Sequence, residues 1–210
     1  LLVNTVKVKL WILTMCMAIK VMPIRALANG YGSGIQGILD AFRYAAGLSN
    51  SSGKLPSKAA DIINASLSVG SSEYCSYLEP ILATGIIIVA AAGNDGIAIQ
   101  GCPPPYCMPH YPSAYSFVLG IYENPPPGGY SNYDPDGPYS TMWPANLLNY
   151  ELHAKGTNIM STVPNGGYTV LSGTSMATPL VAGVLALYLE EKPDDSHELI
   201  FGNLINTGSD

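Results

Sequence analysis

The sequence predicts an α/β fold, a three-layer sandwich around a mostly parallel central sheet. Three observations carry this. β-branched, strand-like runs alternate with helical periodicity through the first hundred residues, the order expected of parallel strands joined by crossover helices. Apolar residues make up 48% of the 210-residue chain and charged residues only 11%, so much of the chain must be buried. The run Thr178 to Leu189 is almost wholly apolar, as a helix enclosed by other layers would be.

The elements follow in order. Residues 17–27 read as a strand. The apolar run Leu10 to Ile19, between Lys9 and Lys20, is too short to span a bilayer. A signal-peptide core flanked by Lys7 and Lys9 is the alternative, but no small-residue cleavage site follows and Ala18 to Leu27 continues as a strand. Residues 33–46 read as a helix, with Ile35, Ile38, Leu39, Phe42, Ala45 and Ala46 on one face. Residues 60–67 read as a strand, 72–84 as a helix that Pro80 kinks or restarts, and 85–92 as a third strand. A Pro- and Gly-rich stretch over 101–144 carries loops around one strand, and short strands from 151 to 171 lead to the long helix. From about Glu198 the chain reads as a trailing helix or tail. The expected organisation is an irregular or partial strand over 1–16, a domain over 17–192 and a C-terminal tail or helix over 193–210. No internal repeat or coiled coil is visible.

Two stretches carry chemistry. Gly173-Thr174-Ser175-Met176-Ala177 opens the apolar helix. A serine there either caps the helix or offers its hydroxyl to a cleft, where free N–H groups and the helix dipole favour developing negative charge. Gly85 to Ala92 is a buried parallel strand ending in small residues, followed by Gly93-Asn94-Asp95-Gly96. Asn94 is either a plain turn residue or an amide donor to an oxyanion.

Together these stretches resemble the subtilisin-like serine proteases. Ala91-Ala92-Gly93-Asn94 and Gly173-Thr174-Ser175-Met176-Ala177-Thr178-Pro179 match that family's signatures in the right order. Ile62-Ile63-Asn64-Ala65-Ser66-Leu67, Tyr111-Pro112-Ser113-Ala114-Tyr115 with Phe117 to Gly120, Tyr130-Ser131-Asn132-Tyr133 and Ala154-Lys155-Gly156 extend the likeness over roughly residues 17–192. The resemblance implies a serine endopeptidase with an acyl-serine intermediate. Ser175 would be the nucleophile. Asn94, with the Ser175 N–H, would form the oxyanion hole. Ser66 and Leu67 would pair with an extended peptide, and Ala92 and Gly93 would wall the pocket for the residue before the cut. Protein or peptide substrates are implied, with no organic cofactor; structural calcium is left open.

The departures are as informative. The family order is Asp, then His, then Ser, yet the residues before Leu27 contain neither Asp nor His. His110, His153 and His197 all lie beyond Asn94, none in the family's His-Gly-Thr-His setting. Asp40 belongs to a helix face, Asp61 to a strand start, and Asp95 is no better placed. Ser68 stands where many members have glycine, and Leu180 where histidine is common. The expectation is a catalytic domain lacking its N-terminal part, inactive alone, whose Asp and His come from a missing N-terminal segment; the leucine at position 1 agrees. A pseudoenzyme or peptide-binding module of the same fold is the alternative. An α/β-hydrolase esterase is disfavoured, because Ala177 replaces the last glycine of Gly-x-Ser-x-Gly.

A net charge of −6 without a basic cluster argues against nucleic acid as a partner. Of four cysteines, Cys16 and Cys75 read as inert buried thiols. Cys102 and Cys107 end a polyproline loop that either staples into a disulfide or is held open by its prolines. No metal site is expected without a second pair of ligands. Low charge, many tyrosines and prolines, and this loop point to an exported protein.

Overall fold

The computed structural model describes residues 19–28, 31–32, 34–67, 75–96, 110–115, 117–123, 130–132, 150–163 and 166–207. The reading of 1–16, Cys16, Ser68 and the Cys102–Cys107 loop lie outside the described residues.

Two short strands come first, β1 (Leu27–Ala28) and β2 (Tyr31–Gly32), paired antiparallel. Then follow α1 (Gly34–Ala45), β3 (Ile62–Ala65), α2 (Cys75–Leu82), β4 (Ile87–Ala91), β5 (Leu119–Glu123) and β6 (Tyr150–Ala154). The hairpin β7 (Ile159–Thr162) and β8 (Tyr168–Leu171) leads into α3 (Thr174–Glu191), and α4 (His197–Thr207) follows. β3-β4-β5-β6 form one parallel sheet, with Ile62 opposite Ile87, Val89 opposite Leu119 and Leu119 opposite Tyr150.

The sandwich follows from β4, whose five residues are all buried. Successive strand side chains point to opposite faces, so a strand covered on both sides must be apolar throughout. Ile86, Ile88 and Ala90 join one core cluster with Ile38, Leu39 and Phe42 of α1 and Leu78 and Ile81 of α2. Ile87 and Val89 join a second, with Ala177, Val181 and Leu185 of α3 and Ile200 and Phe201 of α4. Each fully buried aliphatic side chain stabilises by about 1.5–3 kcal/mol. Helices thus flank both faces of the sheet, and the expected α/β three-layer class stands.

One local expectation is corrected, and of the two readings of Pro80 one is excluded. Residues 17–27 were expected to form a strand, yet within 19–28 only Leu27 and Ala28 do. Exposure along 21–26 still alternates like a strand's, and Ile24, Ala26 and Leu27 pack on the first core cluster. Among the described residues, 19–26 have no strand assignment, and Pro23 removes a donor. Pro80 does not restart its helix either: α2 runs through it. The segment from Glu198 is helical, with Ile200 and Phe201 buried.

Candidate active site

Parallel strands open at one edge of the sheet, and there the chain places its polar groups. β3 runs into Ser66 and Leu67, and β4 into Ala92, Gly93 and Asn94. α3 begins at the same edge. Its N-cap is Gly173, at φ 147° and ψ 163°, a conformation open essentially to glycine alone. Gly173 donates its N–H to the Gly156 carbonyl at 3.0 Å, fixing the turn. Ser175 is therefore not the cap: it is the second residue of the helix.

Gly173 has no side chain to satisfy the first turn, and Asn94 does so from across the site. Asn94 Oδ1 accepts the Thr174 N–H at 2.9 Å and the Thr174 hydroxyl at 3.1 Å, 80 positions along the chain. Thr174 Oγ1 in turn accepts the Gly93 N–H at 3.2 Å. With its oxygen committed, Asn94 presents its amide nitrogen as donor beside the Ser175 turn. The Ser175 N–H, within the first turn, has no intrahelical acceptor. These are the two donors an oxyanion would need.

Pro179 shapes the other side. Lacking an N–H, it leaves the carbonyl four residues back, that of Ser175, out of the helical ladder. That carbonyl accepts the Ser66 hydroxyl at 3.0 Å, while the Ser175 hydroxyl donates to the Ser66 carbonyl at 3.4 Å. Asn64 Nδ2 also donates to Ser66 Oγ, at 3.1 Å. Ser66 is thus brought against Ser175, whereas Leu67 packs towards the first core cluster. Ala92 is fully buried, and Gly93 takes φ 106°. A side chain on Gly93 would run into Asn132 and His110.

The histidines take three separate places. His197 Nε2 bonds the Gly85 carbonyl at 3.0 Å, at the opposite end of β4 from Asn94. His153 lies on β6 with its ring 5.5 Å from that of Tyr122. Desolvation of that ring face pulls its pKa below the ordinary imidazole value, partly offset by a hydrogen bond with the Glu123 backbone. His110 Nε2 meets Asp95 Oδ2 at 3.0 Å. The Ser175 hydroxyl is bonded to Ser66 and to none of them. Asp40 accepts from the Ser51 N–H and hydroxyl, and Asp61 pairs with Lys58, both away from this edge.

Sequence reasoning missed three participants: Thr174, Asn132 and the Asp95–His110 pair. Thr174 was readable only as part of a motif. Asn132, fully buried, ties Ala92, Gly93 and Asp95 together through residues 37 to 40 positions away, and no local pattern announces that. Among the described residues no cluster of three or more His, Cys, Asp or Glu could hold a metal ion. No described helix is long and apolar enough to cross a membrane.

Comparison with known proteins decides the family. The model of the subtilase family matches residues 3–210. This chain belongs to the subtilase family. It is 33% identical to subtilisin DY of Bacillus licheniformis over 151 residues, 71% of this chain and 50% of that protein. It is 32% identical to alkaline elastase YaB of Bacillus sp. strain YaB over 149 residues, 69% of this chain and 34% of that one. A solved protease of Pseudoalteromonas arctica PAMC 21717 superposes with a TM-score of 0.72 at 29% identity, over 91% of this chain and 56% of that structure. The chain therefore spans about a third to a half of the curated subtilases it matches.

Proposed function

We propose that this subtilase chain is the nucleophile-bearing part of a serine endopeptidase that cleaves peptide bonds through an acyl-serine intermediate. The observation that carries the reading is the bond from the Thr174 N–H to Asn94 Oδ1 at 2.9 Å. It ties the carboxamide of one subtilase signature to Thr174, the residue before the serine of the other. An extended peptide pairs along Ser66 and Leu67 by main-chain hydrogen bonds, with its side chain before the cut beside Ala92 and Gly93. Ser175 Oγ attacks the carbonyl carbon, and the negative charge gathers on the carbonyl oxygen between Asn94 Nδ2 and the Ser175 N–H. The amine leaves, and water then releases the acyl group.

Ser175 needs a base to take its proton, and none of the described histidines bonds it. In the proposed enzyme that histidine, and the aspartate orienting it, come from polypeptide preceding this sequence. The much greater length of the related subtilases supports this. The reaction calls for no organic cofactor. Export from the cell is part of the proposal, supported by composition and by a relative named as an extracellular protease, that of Natrialba magadii.

The test is covalent labelling. Polypeptide encoded upstream is supplied to the chain, the mixture is treated with a peptidyl phosphonate, and the adduct is mapped by mass spectrometry. A single adduct on Ser175, absent from Ser175→Ala, is the expected result. An unlabelled Ser175 in a folded, combined protein would overturn the reading.

A further inference from the structure

The reaction just described uses the main chain of Ser66 and leaves its hydroxyl without a task. Yet that hydroxyl is the middle of a chain of bonds ending on the nucleophile's own peptide. Asn64 lies in β3 and Ser66 just beyond it, two residues apart on extended chain, so their side chains leave the same face. Asn64 Nδ2 donates to Ser66 Oγ at 3.1 Å, and Ser66 Oγ donates to the Ser175 carbonyl at 3.0 Å. A hydroxyl carries a single proton. With Asn64 supplying a donor to Ser66 Oγ, that proton is directed to Ser175. The carbonyl it reaches gets no donor from the residue four places on, because that residue is Pro179.

Three consecutive peptide units meet at this turn. The first, Gly173–Thr174, is held by its N–H on Asn94 Oδ1. The third, Ser175–Met176, is held by its carbonyl on Ser66 Oγ and by its N–H on the Gly173 carbonyl at 2.9 Å. Between them lies the unit whose N–H the proposed oxyanion hole uses. Fixing both flanks fixes the direction of that N–H and of the Ser175 side chain.

We propose that Ser66, through its hydroxyl, is a positioning residue for the nucleophile, and that Asn64 sets the direction of the Ser66 proton. The inference rests on the protease reading above. It is separate from peptide pairing, which uses the backbone groups of Ser66 and Leu67. Losing the hydroxyl therefore leaves the substrate its main-chain partners and loosens the turn that carries Ser175. The cost falls on turnover. Ser66→Ala leaves the Ser175 carbonyl without this donor. Asn64→Asp reaches the same end by another route: a carboxylate accepts where the amide donated, and it draws the Ser66 proton away from Ser175.

The test is steady-state hydrolysis of a peptide p-nitroanilide by the chain combined with its upstream polypeptide, in the parent, Ser66→Ala, Asn64→Asp and the double variant. Each single change is expected to lower kcat by about three- to tenfold, the worth of one hydrogen bond, with KM within about twofold of the parent. The double variant should be no slower than Ser66→Ala, because both changes remove the same bond. Asn64 is exposed and its replacement keeps every atom of Ser66, so Asn64→Asp carries the test where Ser66→Ala unfolds. A parent-like kcat in the folded variants, a loss confined to KM, or losses that multiply in the double variant would overturn the role of the Ser66 hydroxyl alone. A parent protein without turnover would overturn the protease reading itself, and this role with it.

Discussion

At the scale of single residues, Asn94 does two separable things. Its oxygen closes the first turn of α3 by accepting from Thr174, and in the proposed reaction its nitrogen donates to the oxyanion. Asn94→Asp keeps the acceptor and removes the donor, so it divides the two roles. The expected outcome is a melting temperature close to that of the parent and a turnover in the combined enzyme lower by about 10²–10³, a magnitude measured on another subtilisin-type protease. Thermal unfolding and steady-state kinetics on the same samples check it; a variant that melts early and turns over normally would assign Asn94 to structure. Ser175 and Asn94 were legible in the sequence because each sits in a short, contiguous run whose residue types are dictated locally. Gly173 must reach a conformation closed to other residues, and Pro179 must free a carbonyl. Asp95 and His110 were not legible. Their partnership spans a proline-rich interval without periodicity, and it depends on Asn132 approaching from a third segment.

At the scale of elements, periodicity was informative wherever an element is buried by its neighbours. α1 and β4 were readable because one has a single apolar face and the other none that is polar. The segment 19–26 misled because alternating exposure does not by itself make a strand: regular pairing is a property of the sheet and cannot be read from one segment. The segment of α4, expected as a trailing helix or tail, is a helix. Its sequence did not decide between the two, yet Ile200 is fully buried and Phe201 nearly so, in the cluster with α3 and the sheet. Ile200→Ala should cost about 2–5 kcal/mol. Urea unfolding followed by circular dichroism would measure it, and a loss below about 0.5 kcal/mol, the range of surface substitutions, would return this segment to the status of a tail.

At the scale of the whole molecule, a parallel sheet gathers loops at one edge, so residues far apart in sequence can assemble there from short strands. Asn94, Ser66 and Ser175 do so in this chain, while His197 and Gly85 mark the other end of the same sheet. The fold class was legible because strand–helix alternation leaves few ways to bury every apolar run. The general base was not, since none of the three histidines, all among the described residues, is bonded to Ser175. The central claim is that the nucleophile and oxyanion site reside here and the base does not. Peptide hydrolysis by the purified chain, with and without the upstream polypeptide and with Ser175→Ala as control, tests it most directly. The account predicts that the chain alone is slower by about 10⁶, the cost of losing the serine or histidine in a related subtilisin, and that addition restores Ser175-dependent turnover. Rapid, Ser175-dependent hydrolysis by the chain alone would contradict it and would make His110, His153 or His197 the base.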